Sequence, residues 1–224
     1  MSMKSYVVKV LNAFYITHDV KCFVVEKPEG YQFIPGQATE VAVNRPEWLN
    51  LRRPFTFTCL QSQPYIEFMI KIYNDHKGVT NLLGGINTGA ELVLHEVFGA
   101  IQYKGPGVFL AGGAGITPFI SIFRDLYAKK QLQGNQLIYS NKTSDDVIMG
   151  KELRKMLKDN FINIITRENI IGYTGKRIDR HFLIENIVNF DQHFYICGTA
   201  DFVKSISGHL IELGVNANSL VIEK

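Results

Sequence analysis

The stretch VFLAGGAGITPFISIF, residues 108–123, decides the fold of the second half of the chain. An apolar run at 108–111 meets a cluster of glycines, and an amphipathic segment begins near Ile116. A strand, a glycine turn and a helix in this order let the backbone approach a phosphate at the helix N-terminus, where N–H groups and the helix dipole favour negative charge. The stretch therefore predicts a nucleotide-binding turn. An ordinary glycine-rich turn between a strand and a helix is the alternative.

The spacing of these glycines does not match the two common phosphate-binding motifs. A dinucleotide fingerprint that used Gly113 and Gly115 would need its third glycine at position 118, which is Pro118. A P-loop needs a glycine followed by lysine and then serine or threonine, and this stretch contains none. The spacing therefore excludes both motifs and does not by itself identify a nucleotide.

Composition limits the class of protein. The chain has 224 residues, enough for one large or two small domains, and 46% of them are hydrophobic. Its three cysteines, Cys22, Cys59 and Cys197, are scattered and odd in number. This pattern predicts neither a disulfide framework nor a set of metal ligands.

Charge and hydropathy limit the partners. The N-terminus has no long apolar region of the signal-peptide type, and the glycine-rich stretch is a poor membrane span. A net charge of +3 is too small to favour nucleic acid, although it suits an acidic protein partner. We therefore expect a cytoplasmic, soluble monomer that binds neither membrane nor nucleic acid.

The first half of the chain shows the pattern of antiparallel β-structure. Short alternating or apolar runs, rich in β-branched residues, are separated by turn residues such as those of EKPEGYQFIPGQ. One helix is predicted at 77–85. Six strands at this spacing predict a small antiparallel β-barrel, with strands at 5–17, 20–26, 38–43, 55–61, 65–73 and 90–96.

The second half alternates between strands and helices. Four strands are predicted at 107–111, 135–140, 161–167 and 193–198, and four helices at 116–130, 150–159, 179–188 and 200–213. This order predicts a parallel sheet covered by helices. We place the boundary in the segment Tyr103-Lys104-Gly105-Pro106, which gives a barrel domain at 1–103 and an α/β nucleotide-binding domain at 104–224.

Four motifs in this order resemble those of the ferredoxin–NADP reductase superfamily, over nearly the whole chain. They are RRPFTFT at 52–58, HKGVTNLL at 76–83, GGAGITPF at 112–119 and YICGTADFV at 195–203. The resemblance implies a flavin-binding barrel followed by an NAD(P)-binding domain. It also implies the cofactors FAD and NAD(P)H.

The resemblance assigns the flavin to residues of the first half. Arg53 and the amides of the second motif would bind its phosphates, because a guanidinium and a helix N-terminus both favour anions. Phe55 would cover one face of the flavin ring, and the Thr56 hydroxyl would bond to flavin N5 as a catalytic group. The implied flavin-binding residues are Arg53, Pro54, Phe55, Thr56, Met69, Ile70, Lys71, Tyr73, Gly78, Val79 and Thr80.

The nicotinamide cofactor is assigned to the glycine turn and to the last motif. Cys197 would lie near the nicotinamide carbon that gives up hydride, as a second catalytic residue; a small buried residue that ends a strand is the alternative. Arg167 in the sequence TRE, helped by Lys142, Lys176 or Arg177, would meet a 2′-phosphate and favour NADPH. The implied residues are Gly112, Gly113, Gly115, Thr117, Pro118, Arg167, Cys197 and Gly198.

The resemblance therefore implies an FAD-dependent NAD(P)H oxidoreductase. The expected acceptor is an acidic electron-transfer protein, ferredoxin or flavodoxin. Reduction of free flavin or of a cytochrome is the alternative within the superfamily, and a non-enzymatic nucleotide sensor is the alternative outside it. The sequence ends SLVIEK, without the terminal aromatic residue of many relatives, so we expect only a modest preference for NADPH over NADH.

Overall fold

The computed structural model describes residues 4–75, 77–99, 101–168 and 177–222. The chain forms two compact units, which are Met1–Gly99 with Thr117–Arg124, and Ala100–Ile116 with Asp125–Lys224. The first unit contains the antiparallel strands and the second contains the parallel strands. No helix among the described residues is long and apolar enough to cross a membrane.

The first unit is a six-stranded antiparallel sheet, so the predicted antiparallel fold is confirmed. Its elements are β1 Tyr6–Tyr15, β2 Val20–Glu26, β3 Ala38–Val43, β4 Arg53–Thr56, β5 Tyr65–Lys71, α1 Val79–Gly84 and β6 Glu91–Phe98. The strand order is β4-β3-β6-β1-β2-β5. Alternation explains the packing of the strands, since Val8 and Val10 of β1 are buried while Val7 and Leu11 are exposed.

The segment after β4 joins the two outer strands of this sheet. The Thr58 amide donates to the Glu67 carbonyl of β5 over 3.0 Å. Phe57 stacks on Phe33, with ring centres 4.1 Å apart, inside the core. The sequence predicted a strand over 55–61, whereas β4 ends at Thr56. Residues 57–59 are buried but no longer pair with β3, and the sequence pattern cannot distinguish such a buried segment from a strand.

The second unit is a five-stranded parallel sheet. Its strands are β7 Gly107–Gly112, β8 Gln136–Asn141, β9 Phe161–Ile165, β10 His193–Cys197 and β11 Leu220–Ile222, in the order β11-β10-β7-β8-β9. The four predicted strands are present, and the fifth, β11, which is only three residues long, was not predicted. The helices are α2 Thr117–Ala128, α3 Gly150–Leu157, α4 Arg180–Asn186 and α5 Ala200–Glu212; the start of α2, Thr117–Arg124, belongs to the first unit.

The parallel pairing places the predicted nicotinamide residues at one edge of the second sheet. Cys197, the last residue of β10, lies opposite Ala111 of β7. Gly112 and Gly198 follow directly at the carboxyl ends of the two strands. In open parallel sheets this edge is where ligands bind, because the loops and helix N-termini converge there.

Candidate functional site

Strand β4 presents the predicted flavin motif beside β3, with Arg53 opposite Val41 and Thr56 opposite Ala38. Arg53 and Pro54 are exposed, whereas Phe55 and Thr56 are half-buried. In the described part of the chain, the Arg53 guanidinium makes one hydrogen bond, 2.8 Å long, to the carbonyl oxygen of its neighbour in the chain. A guanidinium carries five N–H donors, so most of them can still bind an anion.

Helix α1 supplies the predicted phosphate-binding amides. Gly78 is its N-cap, and no side chain in the described chain caps the helix there. Val79 is buried in the core, and Thr80 is half-buried. The first amides of a helix have no partner within the helix. The segment Gly78 to Thr80 is therefore suited to bind an anion with backbone donors, as the resemblance implies.

Lys21 of β2 holds the opposite end of α1. Its side chain is buried, and its ammonium donates to the carbonyl oxygens of Gly84, over 2.9 Å, and Ile86, over 2.7 Å. Burial lowers the pKa of Lys21, while the carbonyls and the negative end of the helix stabilise its charged form. This contact anchors a helix that is only six residues long. The sequence analysis missed it, although a lysine inside the apolar strand VKCFVVE was the available signal.

The predicted cofactor residues of β5 differ in environment. Met69 and Ile70 are buried, and Ile70 belongs to the core of the unit. A cofactor contact from Ile70 would therefore come from its backbone. Lys71 forms an ion pair of 2.6 Å with Asp19, and Tyr73 is exposed.

Two predicted site residues meet directly within the first unit. The Thr56 hydroxyl donates a hydrogen bond of 2.7 Å to the Thr117 hydroxyl. Thr117 is the first residue of α2 and follows the glycine turn. Pro118 comes next, in the first turn of the helix, where its missing N–H costs nothing. The structure thus joins the predicted flavin motif to the residue that follows the glycine turn.

The glycine turn itself lies in the second unit and forms a short 3-10 turn, Gly113–Ile116. Gly113 has a φ of +54°, and a Cβ added there would meet nothing within 4 Å. Gly115 is different, because an added Cβ would lie 2.3 Å from the carbonyl oxygen of Cys197. Gly113 therefore leaves open space beside the turn, and Gly115 permits contact between the turn and the end of β10.

Phe202 fills the space behind the two strand ends. A Cβ added to Gly112 would lie 3.0 Å from its ring, and one added to Gly198 would lie 2.7 Å from it. Phe202 stands in the first turn of α5, where the Thr199 side chain accepts a hydrogen bond from its amide. The sequence analysis missed Phe202, although it lies within the quoted motif YICGTADFV.

A cavity of about 460 Å³ opens at the same strand end. Cys197 is 7% exposed and lines this cavity together with Gly198. The other lining residues are Ile196, Ala200, Val203 and Lys204. The structure therefore places Cys197, Gly198, Gly112, Gly113 and Gly115 around one edge of the sheet.

Two of the predicted coenzyme-selecting cations lie side by side at the ends of β8 and β9. Arg167 and Lys142 are both exposed, and the Arg167 amide donates to the Lys142 carbonyl over 2.8 Å. Glu168 accepts a hydrogen bond of 2.9 Å from the Ser144 amide. Arg177 is exposed, and Lys176 lies outside the described residues, as does Lys224 at the chain end.

The residues present fit a flavin nucleotide and a nicotinamide nucleotide. Arg53 and the α1 amides provide donors for phosphate in the first unit. In the second unit, Gly113 leaves open space that a side chain would fill, and a cavity adjoins Cys197.

Comparison with known proteins supports this interpretation. Residues 109–208 match the family model described as the oxidoreductase NAD-binding domain. The chain is 30% identical over 135 residues to the reductase component of propane 2-monooxygenase from Rhodococcus jostii (strain RHA1), an alignment that covers 58% of this chain and 36% of that protein. It is 24% identical over 213 residues to NADH-cytochrome b5 reductase 2 from Mycosarcoma maydis, covering 85% of this chain and 61% of that protein.

The fold agrees with these sequence matches. A crystal structure of a ferredoxin NADP+ reductase from Neisseria gonorrhoeae, with bound FAD and NADP, superposes with a TM-score of 0.85 at 21% identity and covers 98% of each chain. This chain spans 36% and 61% of the lengths of the two sequence relatives above. The predicted fold is therefore confirmed: the chain has the two-domain fold of the ferredoxin NADP+ reductase, and residues 109–208 match the oxidoreductase NAD-binding domain.

Proposed function

We propose that this chain is an FAD-dependent reductase that oxidises NAD(P)H and passes the electrons to an acceptor protein. Bound flavin would supply the redox chemistry, since it accepts a hydride and can release electrons singly or in pairs. The observation that carries the proposal is the 2.7 Å hydrogen bond between Thr56 and Thr117. It links a strand with the features of a flavin site to the first helical residue after a nucleotide turn.

The residues of the chain have separate tasks in this proposal. Arg53 and the amides at Gly78 to Thr80 bind phosphate, and Phe55 covers a face of the flavin ring. The hydrogen bond between Thr56 and Thr117 holds both hydroxyl groups in fixed positions beside the reacting rings. In the second unit, Cys197 contacts the nicotinamide, because it is small, nearly buried and beside the cavity.

For the acceptor we propose an acidic electron-transfer protein of the ferredoxin or flavodoxin class. The net charge of +3 supports this partner, as do the exposed cations of α3, Lys151, Arg154 and Lys155. A cytochrome is the second candidate, because NADH-cytochrome b5 reductase 2 from Mycosarcoma maydis is a relative over 85% of this chain.

The proposed function is tested by the flavin spectrum. The purified protein should be yellow, and anaerobic NADPH should bleach the flavin absorbance within the mixing time of an ordinary assay. Addition of an oxidised ferredoxin or flavodoxin should then restore the colour. A protein that binds no flavin overturns the proposal. A flavin that NADPH and NADH both fail to bleach indicates the non-enzymatic sensor instead.

Coenzyme choice gives a second prediction. Arg167→Ala should raise the KM for NADPH about tenfold, equivalent to about 1.4 kcal/mol, and leave the KM for NADH unchanged. The reason is that Arg167 and Lys142 are exposed cationic residues whose backbones are hydrogen-bonded at adjacent strand ends, where a 2′-phosphate would meet their side chains. Arg180→Ala, which removes an exposed arginine at the start of α4, is the matched control. An unchanged ratio of the two KM values would remove Arg167 from the site.

A further inference from the structure

The start of helix α2, which belongs to the first unit, carries a polar stripe. Thr117, Ser121 and Arg124 stand at positions i, i+4 and i+7, so they share one face of the helix. Thr117 accepts the hydrogen bond from Thr56, and Ser121 accepts one of 3.0 Å from the Gly36 amide. These hydrogen bonds attach the stripe to the sheet and its loops at two points, and Arg124 is the charged residue of the stripe.

Arg124 forms a mostly buried ion pair with Glu67 of β5. One guanidinium nitrogen, Nη1, lies 2.6 Å from Glu67 Oε1, and the two side chains are 19% and 14% exposed. The same nitrogen donates to the Thr58 carbonyl over 2.8 Å, and the Thr58 hydroxyl donates to Glu67 Oε1 over 2.7 Å. Glu67 therefore holds Arg124 and Thr58 at once.

The two residues that Glu67 contacts are close in sequence to Thr56 and Thr117. Thr58 is two residues after Thr56, and Arg124 is two helical turns after Thr117. A buried ion pair contributes little net stability, because the cost of desolvating both charges offsets their attraction. It does, however, permit only a narrow range of geometries, since charge-assisted hydrogen bonds are short and directional.

We propose that Glu67 and Arg124 are a positioning pair that sets the register between α2 and the segment 56–58, and thereby brings the hydroxyl groups of Thr56 and Thr117 together. The importance of this contact for catalysis rests on the function proposed above, whereas the positioning itself does not. In this proposal the pair acts through the threonines.

The test uses a cysteine reporter that needs no cofactor. In the full chain, Thr56→Cys and Thr117→Cys are introduced together, and the rate of disulfide formation between them is followed in a glutathione buffer by peptide mass. Cys197 is replaced by serine in every reporter, because it is a cysteine outside any disulfide and lies beside the glycine turn. Cys22 and Cys59 do not compete, because burial raises the pKa of Cys22 to about 12 and that of Cys59 to about 11, so they are rarely thiolates at neutral pH.

We expect disulfide formation to slow about tenfold when Arg124→Met or Glu67→Gln is added to the reporter. Arg124→Lys should recover part of the rate, because it retains the charge. Lys129→Met is the matched control: it removes a cation that directly follows the same helix and forms an ion pair of 2.7 Å with Asp125. This control should leave the rate unchanged.

A second variant separates positioning from stability. Glu67→Met with Arg124→Met replaces the ion pair by an apolar pair, which often leaves a protein as stable as before. We expect its thermal midpoint to stay near that of the parent while disulfide formation remains slow. If this folded variant forms the disulfide as fast as the parent reporter, the pair is only structural and the proposal is overturned. A chain that binds no flavin would overturn the proposed function and leave this result standing.

Discussion

Gly115→Ala should lose NAD(P)H binding and destabilise the second unit by about 3 kcal/mol or more. The added Cβ would lie 2.3 Å from the Cys197 carbonyl oxygen, 2.5 Å from the Cys197 carbonyl carbon and 2.6 Å from the Gly198 amide nitrogen. All three are backbone atoms at the carboxyl end of a central strand, so the turn must move away from them. Urea unfolding and titration with NADPH, followed by fluorescence, measure the two effects.

Two other glycines provide graded controls for this prediction. Gly208, in the middle of α5, has nothing within 4 Å of an added Cβ. Gly208→Ala should therefore be neutral or stabilising by about 0.5–1 kcal/mol, because alanine favours helix. Gly113→Ala meets open space but has a φ of +54°, so it should cost about 1–2 kcal/mol. Equal stability of Gly115→Ala and Gly208→Ala would contradict the close contact between the turn and β10.

The sequence predicts the two sheets well because their patterns are local. The alternation along β1 and the continuous apolar runs of β7 and β10 reflect how many faces of each strand are buried. Such a pattern is visible in the sequence of the strand itself, without knowledge of its neighbours. The failures occur where pairing, rather than burial, defines the strand. The end of β4 at Thr56 and the three-residue β11 are both set by neighbouring strands that are distant in sequence.

The residues of the candidate site likewise fall into two groups, those that the sequence can predict and those that it cannot. Glycines of the nucleotide turn are visible in the sequence because their spacing is constrained by the backbone, as the contacts of Gly115 show. By contrast, Glu67 and Arg124 are separated by 57 residues, and each alone looks like an ordinary surface charge. Lys21 likewise shows its partners only once α1 is folded against β2. Polar contacts between residues that are distant in sequence leave no periodic pattern, so the sequence alone does not predict them.

Arg53→Ala should weaken flavin binding about 30- to 150-fold, equivalent to about 2–3 kcal/mol for charge-assisted hydrogen bonds to a phosphate. It should leave the free energy of unfolding almost unchanged. The reason is that Arg53 is exposed and, within the described chain, donates only to the adjacent carbonyl over 2.8 Å. The side chain therefore contributes little to folding and retains its donors for an anion. Titration of flavin-free protein with FAD and with riboflavin measures the loss.

The comparison between the two flavins and a neighbouring arginine makes this prediction specific. Riboflavin has no phosphate, so its affinity should be the same in Arg53→Ala and in the parent. Arg52→Ala is the matched control: Arg52 is next in the chain, but its guanidinium lies 3.6 Å from Glu40 in a partly exposed ion pair. Its loss should cost less than about 1 kcal/mol of stability and leave FAD affinity within about twofold. If Arg53→Ala retains full affinity for FAD, or loses riboflavin to the same degree, Arg53 does not bind the phosphates and the flavin must be held by the α1 amides alone.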